Sequence, residues 1–122
     1  MNVIGHTINN IRIAEIQEEA AIIRRHEEAL DLLGDLYYQG FDGIIIRKQN
    51  ITADFFDLKT GIAGEILQKF SNYRVKLAII GDFSSYTAKS ITDFIYESNK
   101  NGHVNFLSSV EEALTKLSGT VS

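Results

Sequence analysis

The chain predicts an α/β fold with a mostly parallel central sheet, an N-terminal hairpin and about four helices. Three observations carry that expectation. Two short apolar segments, 3–8 and 11–16, flank the pair Asn9-Asn10. Two apolar runs, 43–46 and 75–80, have the character of strands covered on both faces. Around and after them lie stretches with apolar residues at three- and four-residue spacing, the period of an amphipathic helix. Strands that alternate with helices pair in parallel through right-handed crossovers.

The elements follow in order. Asparagine tolerates the left-handed backbone of a tight turn, so Asn9-Asn10 predicts a β-hairpin. Residues 17–25 fit either a strand extension or an irregular cover over the core. From 26 to 39 the pattern is helical, with Ala29, Leu30, Leu33, Leu36 and Tyr37 on one stripe. Glu27, Glu28 and Asp31 occupy its first turns, where the helix dipole favours acid, and Gly40 supplies the stop. Gly43-Ile44-Ile45-Ile46 is a buried strand, followed by a polar exit and a short helical turn through Asp54 and Phe55.

A central helix is expected over 60–71, with Ile62, Ala63, Ile66, Leu67 and Phe70 inward. The run 75–80 is the next strand and ends at Gly81-Asp82. Ser84 or Ser85 is expected to cap a helix reaching 98, with Ala88, Ile91, Phe94 and Ile95 inward. Asn101-Gly102 turns the chain into an edge strand over 103–107. Ser108-Ser109 caps a last helix that buries Val110, Ala113, Leu114 and Leu117. Val121 and Ser122 are expected to fray.

Composition bounds the function. A chain of 122 residues is expected to form one domain, 1–122, with a core of its own. No cysteine is present, which removes disulfides, thiolate chemistry and cysteine-based metal sites. The net charge of −4 and the scattered lysines and arginines argue against a nucleic-acid partner. His6, His26 and His103 stand far apart in sequence, so no metal site or other cofactor is expected. No apolar run is long enough to span a bilayer and the first residues lack a secretory pattern, so no membrane partner and a cytoplasmic location are expected.

In open parallel sheets, ligands and partners meet the loops that leave the strand C-terminal ends. Two loops qualify, 47–61 and 81–86, and both feed helix N-termini whose free amides favour anions. The candidate binding or switch residues are Asp57, Lys59, Thr60 and Gly61 in the first loop, and Asp82, Ser84 and Ser85 in the second. Thr60, at a helix start, is placed to carry or bind a phosphate, and equally to serve as a cap. Lys59 either neutralises such a group or solvates the loop. Of the adjacent Phe55 and Phe56, one is expected at the site mouth and the other in the core. Asp54, Asp57 and Asp82 invite comparison with a magnesium-dependent receiver domain. The acidic pair after the first strand and the lysine after the last are both missing. Dinucleotide, Walker and serine-elbow motifs are missing as well, so no catalytic residue is assigned.

The stretch FFDLKTGIAGEILQKFSNYRVKLAIIGDFSSYTAKSITDFIYESN resembles a family of small bacterial proteins known only as a domain of unknown function, most strongly over 44–99. More distantly, the order of elements resembles the STAS domain, the fold of anti-sigma factor antagonists. Those proteins carry an acidic-Ser-Ser-Gly-Leu-Gly pattern to which Asp57-Leu58-Lys59-Thr60-Gly61-Ile62-Ala63-Gly64 is similar. Here one residue is inserted after Asp57, and Lys59 replaces a small hydroxyl residue. The resemblance implies a STAS-like fold and a cytosolic, non-enzymatic regulatory module that binds a protein partner. It also implies a phosphoacceptor position at Thr60. Two other expectations stand beside it. One is a site for a small anionic ligand, a nucleotide or phosphorylated metabolite, with or without weak enzyme activity. The other is a homodimer joined through an edge strand or a helix face.

Overall fold

The computed structural model describes residues 1–119. Strands β1 (Asn2–Ile8), β2 (Ile11–Gln17), β3 (Gly43–Arg47), β4 (Lys76–Ile80) and β5 (Val104–Leu107) form one sheet, each beside the next in chain order. Helices α1 (His26–Tyr38), α2 (Ile62–Tyr73), α3 (Lys89–Asn101) and α4 (Val110–Leu117) complete the α/β architecture.

The expected mostly parallel sheet is a mixed one. β1 runs antiparallel to β2, whereas β2, β3, β4 and β5 pair in parallel. The connections decide this. Asn9 and Asn10 both take left-handed backbone, with φ of 53° and 67°, and a two-residue turn of that kind joins only antiparallel neighbours. Every later strand is reached through a helix.

Chain-order neighbours joined by crossovers of one hand must place their helices on one side of the sheet. So α1, α2 and α3 cover one face, where Ala14, Ile16, Ile44, Ile46, Leu77, Ile79 and Phe106 meet Leu33, Leu36, Ile66, Phe70 and Ile91. Among the described residues no strand follows α4, and that helix folds over the opposite face. There Ala113 and Leu117 close on Ile13, Ile45 and Ala78. Successive residues of a strand point to opposite faces, which is why Ile44-Ile45-Ile46 is apolar throughout.

Several expected boundaries shift for local reasons. α2 begins at Ile62 rather than at Thr60, because Gly61 sits at φ 78° and interrupts the helix. Ser84 and Ser85 do not cap α3. That helix starts at Lys89 behind Ala88, which makes no side-chain cap bond and is exposed rather than inward. On α1 the buried set is Ala29, Leu32, Leu33 and Leu36. Tyr37 is half-exposed and packs edge-to-face on Tyr73 of α2, ring centroids 5.3 Å apart. Ser109 does cap α4, accepting from the Glu112 amide at 3.1 Å. Gly102 ends α3 at φ 86°. Residues 18–25 form an irregular cover, joined to the β3 exit by a bridge between Ile23 and Ile51. The expected fraying at Val121 and Ser122 lies outside the described residues.

Candidate functional site

β3 ends at Arg47, and the chain then winds through three short 3₁₀ turns, Lys48–Asn50, Ala53–Phe56 and Leu58–Thr60. Asn50, fully buried, fastens this exit. Its side chain accepts from the Arg47 amide at 2.9 Å and donates to the carbonyls of Glu18 and Ala20 at 2.7 and 3.0 Å. Its own carbonyl accepts from the amides of Ile22 and Ile23. One asparagine thereby ties the irregular segment after β2 to the loop after β3.

The candidate residues of the first loop lie together in one turn. Asp57 caps it, accepting from the Lys59 amide at 3.2 Å. The Thr60 hydroxyl donates toward the carbonyls of Asp54 and Asp57, each at 2.8 Å, and accepts from the Ile62 amide at 3.3 Å. Thr60 is therefore a stitch across two consecutive 3₁₀ turns, with its side chain at the surface. Gly61 supplies the left-handed residue that lets α2 leave at a new angle. The Lys59 side chain is exposed.

In the second loop Asp82 folds back on the chain, and its carboxylate accepts from the Ser84 amide at 2.9 Å. The Ser84 hydroxyl and amide, followed by the Lys48 charge, hold the Asp82 carboxyl below the ordinary aspartate range. Ser84 and Ser85 are exposed. The Ser84 amide expected to be open to an anion thus already faces a carboxylate.

Aromatic side chains, not the candidate polar ones, join the two loops. Phe56 stacks on Tyr86 with centroids 4.7 Å apart and planes 14° from parallel, and it lies 5.8 Å from Phe83. Phe106 of β5 completes the cluster beneath Phe83, at 5.3 Å and edge-on. Both Phe55 and Phe56 are buried, so neither stands free at the mouth as expected, although Phe56 still lines it.

Lys48 lies across this cluster. Its Nζ donates to the Asp82 carbonyl at 2.9 Å and sits 4.7 Å from the Tyr86 ring centre and 5.8 Å from that of Phe83. Its stem crosses Gly81 so closely that a Cβ on Gly81 would come within 2.7 Å of Lys48 Cβ. A groove of about 450 Å³ opens here, lined by Lys48, Ile51, Phe56, Ile80, Asp82 and Tyr86 among others. A second hollow of about 600 Å³ shares Gly81 and Asp82 and reaches Ser108 and Glu112.

A further polar group lies within the sheet. Glu15 is 6% exposed; its carboxylate meets His6 Nε2 at 2.9 Å and Arg47 Nη2 at 3.0 Å, while Arg47 Nη1 donates to the Ile16 carbonyl. Burial pushes the Glu15 carboxyl up, but the hydrogen bonds from His6 and Arg47 together with the Arg47 charge outweigh it. The net effect holds the group below the ordinary glutamate range. His6 looks partnerless in the sequence. Hairpin register would have paired it, because a turn at Asn9-Asn10 sets Ile4 opposite Glu15 and leaves His6 diagonal to that carboxylate. Lys48 left no comparable signal.

Among the described residues, no group of three or more histidines, cysteines, aspartates and glutamates could hold a metal ion. No helix there is long and apolar enough to cross a membrane. Fold and site together define an α/β protein with a lysine-and-aromatic groove at the C-terminal ends of β3 and β4. The chain belongs to the family described as Domain of unknown function (DUF4180), whose model matches residues 8–117. No curated protein and no solved structure matches the chain.

Proposed function

We propose that this protein is a STAS-like regulatory module of the cytoplasm that binds a protein partner, without turnover, through the face made by residues 54–64 and 82–86. One observation carries the reading. The Phe56–Tyr86 stack with Lys48 across it turns two separate loops into a single surface with an apolar groove and a charged rim. Surfaces of that kind, aromatic at the centre and polar around it, favour protein contacts.

Phosphorylation at Thr60 would switch this face by undoing local structure. The hydroxyl now acts as a donor toward two carbonyl oxygens. A phosphoryl group replaces that proton with between one and two negative charges facing the same oxygens, so both bonds are lost. The two 3₁₀ turns would then separate, and Phe56, in the first of them, would carry the change to Tyr86.

Affinity capture from cells that make the protein, with mass spectrometry of partners and phosphosites, tests this. Wild type is compared with Tyr86→Ala, Thr60→Ala and Thr60→Glu. The expected result is a partner bound by wild type and lost with Tyr86→Ala and Thr60→Glu. A partner set unchanged across all four would remove the face, and with it the switch.

A second reading has the Lys48 ammonium in its favour, a cation inside a groove of about 450 Å³. An anionic nucleotide or phosphorylated metabolite seated there must raise the melting temperature, because binding stabilises the native state. A thermal-shift screen at millimolar ligand with no increase would eliminate it.

A further inference from the structure

We infer that β1 is a dimerisation edge, and that its occupant is a second copy of the chain, paired antiparallel about Gly5 to give one continuous sheet across two molecules. The two edges of the sheet are treated differently. β5 has four residues, and α3 closes it from outside: the Asn99 amide accepts from the Phe106 N–H at 2.6 Å and donates to the Phe106 carbonyl at 3.2 Å. Ser98 donates to the Val104 carbonyl as well. Two α3 side chains thus take backbone positions that a sixth strand would use.

β1 carries none of these protections. It runs for seven residues in unbroken register with β2, from Asn2 opposite Gln17 to Ile8 opposite Ile11, with no bulge. It contains no proline, lysine, arginine, aspartate or glutamate, the residues that usually blunt an edge. Val3 and Ile4, on opposite faces of the strand, are 37% and 40% exposed.

The hairpin fixes which backbone groups are free. With a two-residue turn, Ile8 and Ile11 are the first hydrogen-bonded pair, and bonded pairs alternate from there. Asn2, Ile4 and His6 therefore bond inward to β2, while Val3, Gly5 and Thr7 present their N–H and C=O groups outward. Those three positions are symmetric about Gly5. A two-fold axis there sets Gly5 against Gly5 of the second copy and Val3 against its Thr7, closing roughly six backbone hydrogen bonds.

Side chains and charge agree with that register. Ile4 falls opposite His6 of the second copy. His6 then lies in the same cross-strand row as that copy's Glu15, because Ile4 pairs with Glu15 in the hairpin. An imidazole and a carboxylate thus share a row and no like charges face each other, so the edge does not repel its own copy. A strand-only contact is narrow, below about 1,200 Å² in total, which fits reversible association in the micromolar range.

The chain has no cysteine, so a single introduced thiol reports the axis without background. At Gly5 a Cβ would meet the Phe41 ring at 3.8 Å, ordinary contact, so Gly5→Cys should fold. Facing residues of a bonded antiparallel pair have Cα atoms about 5.5 Å apart, within reach of a disulfide. Val3→Cys would stand about 14 Å from its own counterpart, four residues along the strand. Under mild oxidation at micromolar protein, Gly5→Cys should cross-link on the order of a hundred-fold faster than Val3→Cys, since thiols held together act at millimolar effective concentration.

Sedimentation of the wild-type chain should show a concentration-dependent dimer. Val3→Lys and Ile4→Lys, checked for native circular dichroism, should weaken it more than ten-fold. A wild-type chain monomeric at every concentration to the millimolar range would overturn the inference. So would a dimer indifferent to both lysines, or one in which Val3→Cys cross-links as fast as Gly5→Cys. A monomer that binds extended peptides at β1 would overturn the choice of occupant.

Discussion

Glu15 sits in the sheet between His6 and Arg47, and its removal leaves the Arg47 guanidinium facing half-buried surroundings with one acceptor fewer. Hydrogen bonds to charged groups contribute about 1.5–3 kcal/mol, so Glu15→Ala should destabilise the fold by that order in urea unfolding. The acid limb of stability tests the same residue differently. The folded pKa of Glu15 lies below its ordinary value of 4.5, so the unfolded chain binds more protons through that window. Its contribution is present above the ordinary glutamate pKa and is lost as pH falls through the depressed one. Glu15→Gln should therefore lose less stability than wild type on acidification across that range. Thr60→Val removes the one hydroxyl proton shared between two carbonyls near the surface and should cost about 1 kcal/mol, whereas Thr60→Ser should restore most of it. Amide exchange at Thr60 and Gly61 would rise in the valine variant, and unchanged exchange there would mean that the stitch holds nothing.

Elements show where a local rule was overridden by packing. Ser109 caps α4 as its position predicts, and Ser109→Ala should cost about 1 kcal/mol of stability. Ser84 and Ser85 have the right chemistry to cap and do not, because Asp82 closes its own turn and α3 begins later, at Lys89. At the other edge Asn99 stands in for a missing strand. Asn99→Ala should cost about 1–3 kcal/mol, since it strips the Phe106 N–H of its partner, and it should speed exchange of that amide.

For the whole molecule, coverage of the second sheet face rests on α4. Leu117 of that helix lies 2% exposed above Gly43, where an added Cβ would meet Leu117 Cδ1 at 3.2 Å and Ile13 at 3.6 Å. Gly43→Ala should cost about 1–3 kcal/mol by overpacking, and Leu117→Ala about 2–5 kcal/mol by leaving a cavity. The double variant should be more stable than the sum of the two losses implies, because the new methyl group occupies part of the space vacated. Strict additivity in a double-mutant cycle would place α4 elsewhere on the sheet.

The amino-acid sequence by itself determined the order of elements, since apolar periodicity, Asn9-Asn10, Gly40, Gly102 and Ser109 act within a few residues of themselves. It also showed which two loops leave strand C-terminal ends, and it grouped Asp57, Lys59, Thr60 and Gly61, which the structure draws into one turn. What joins those loops was decided only by tertiary structure. Phe56 and Tyr86 lie thirty residues apart by numbering and meet because β3 and β4 are adjacent. Lys48 reaches Asp82 for the same reason, and Gly81 is glycine because a lysine stem crosses it. The place of the hairpin, at one edge of the sheet with β2 beside β3, was likewise settled by the folded chain. Local backbone preferences can be read one residue at a time; contacts across a sheet depend on which strands become neighbours, and that is a property of the folded chain.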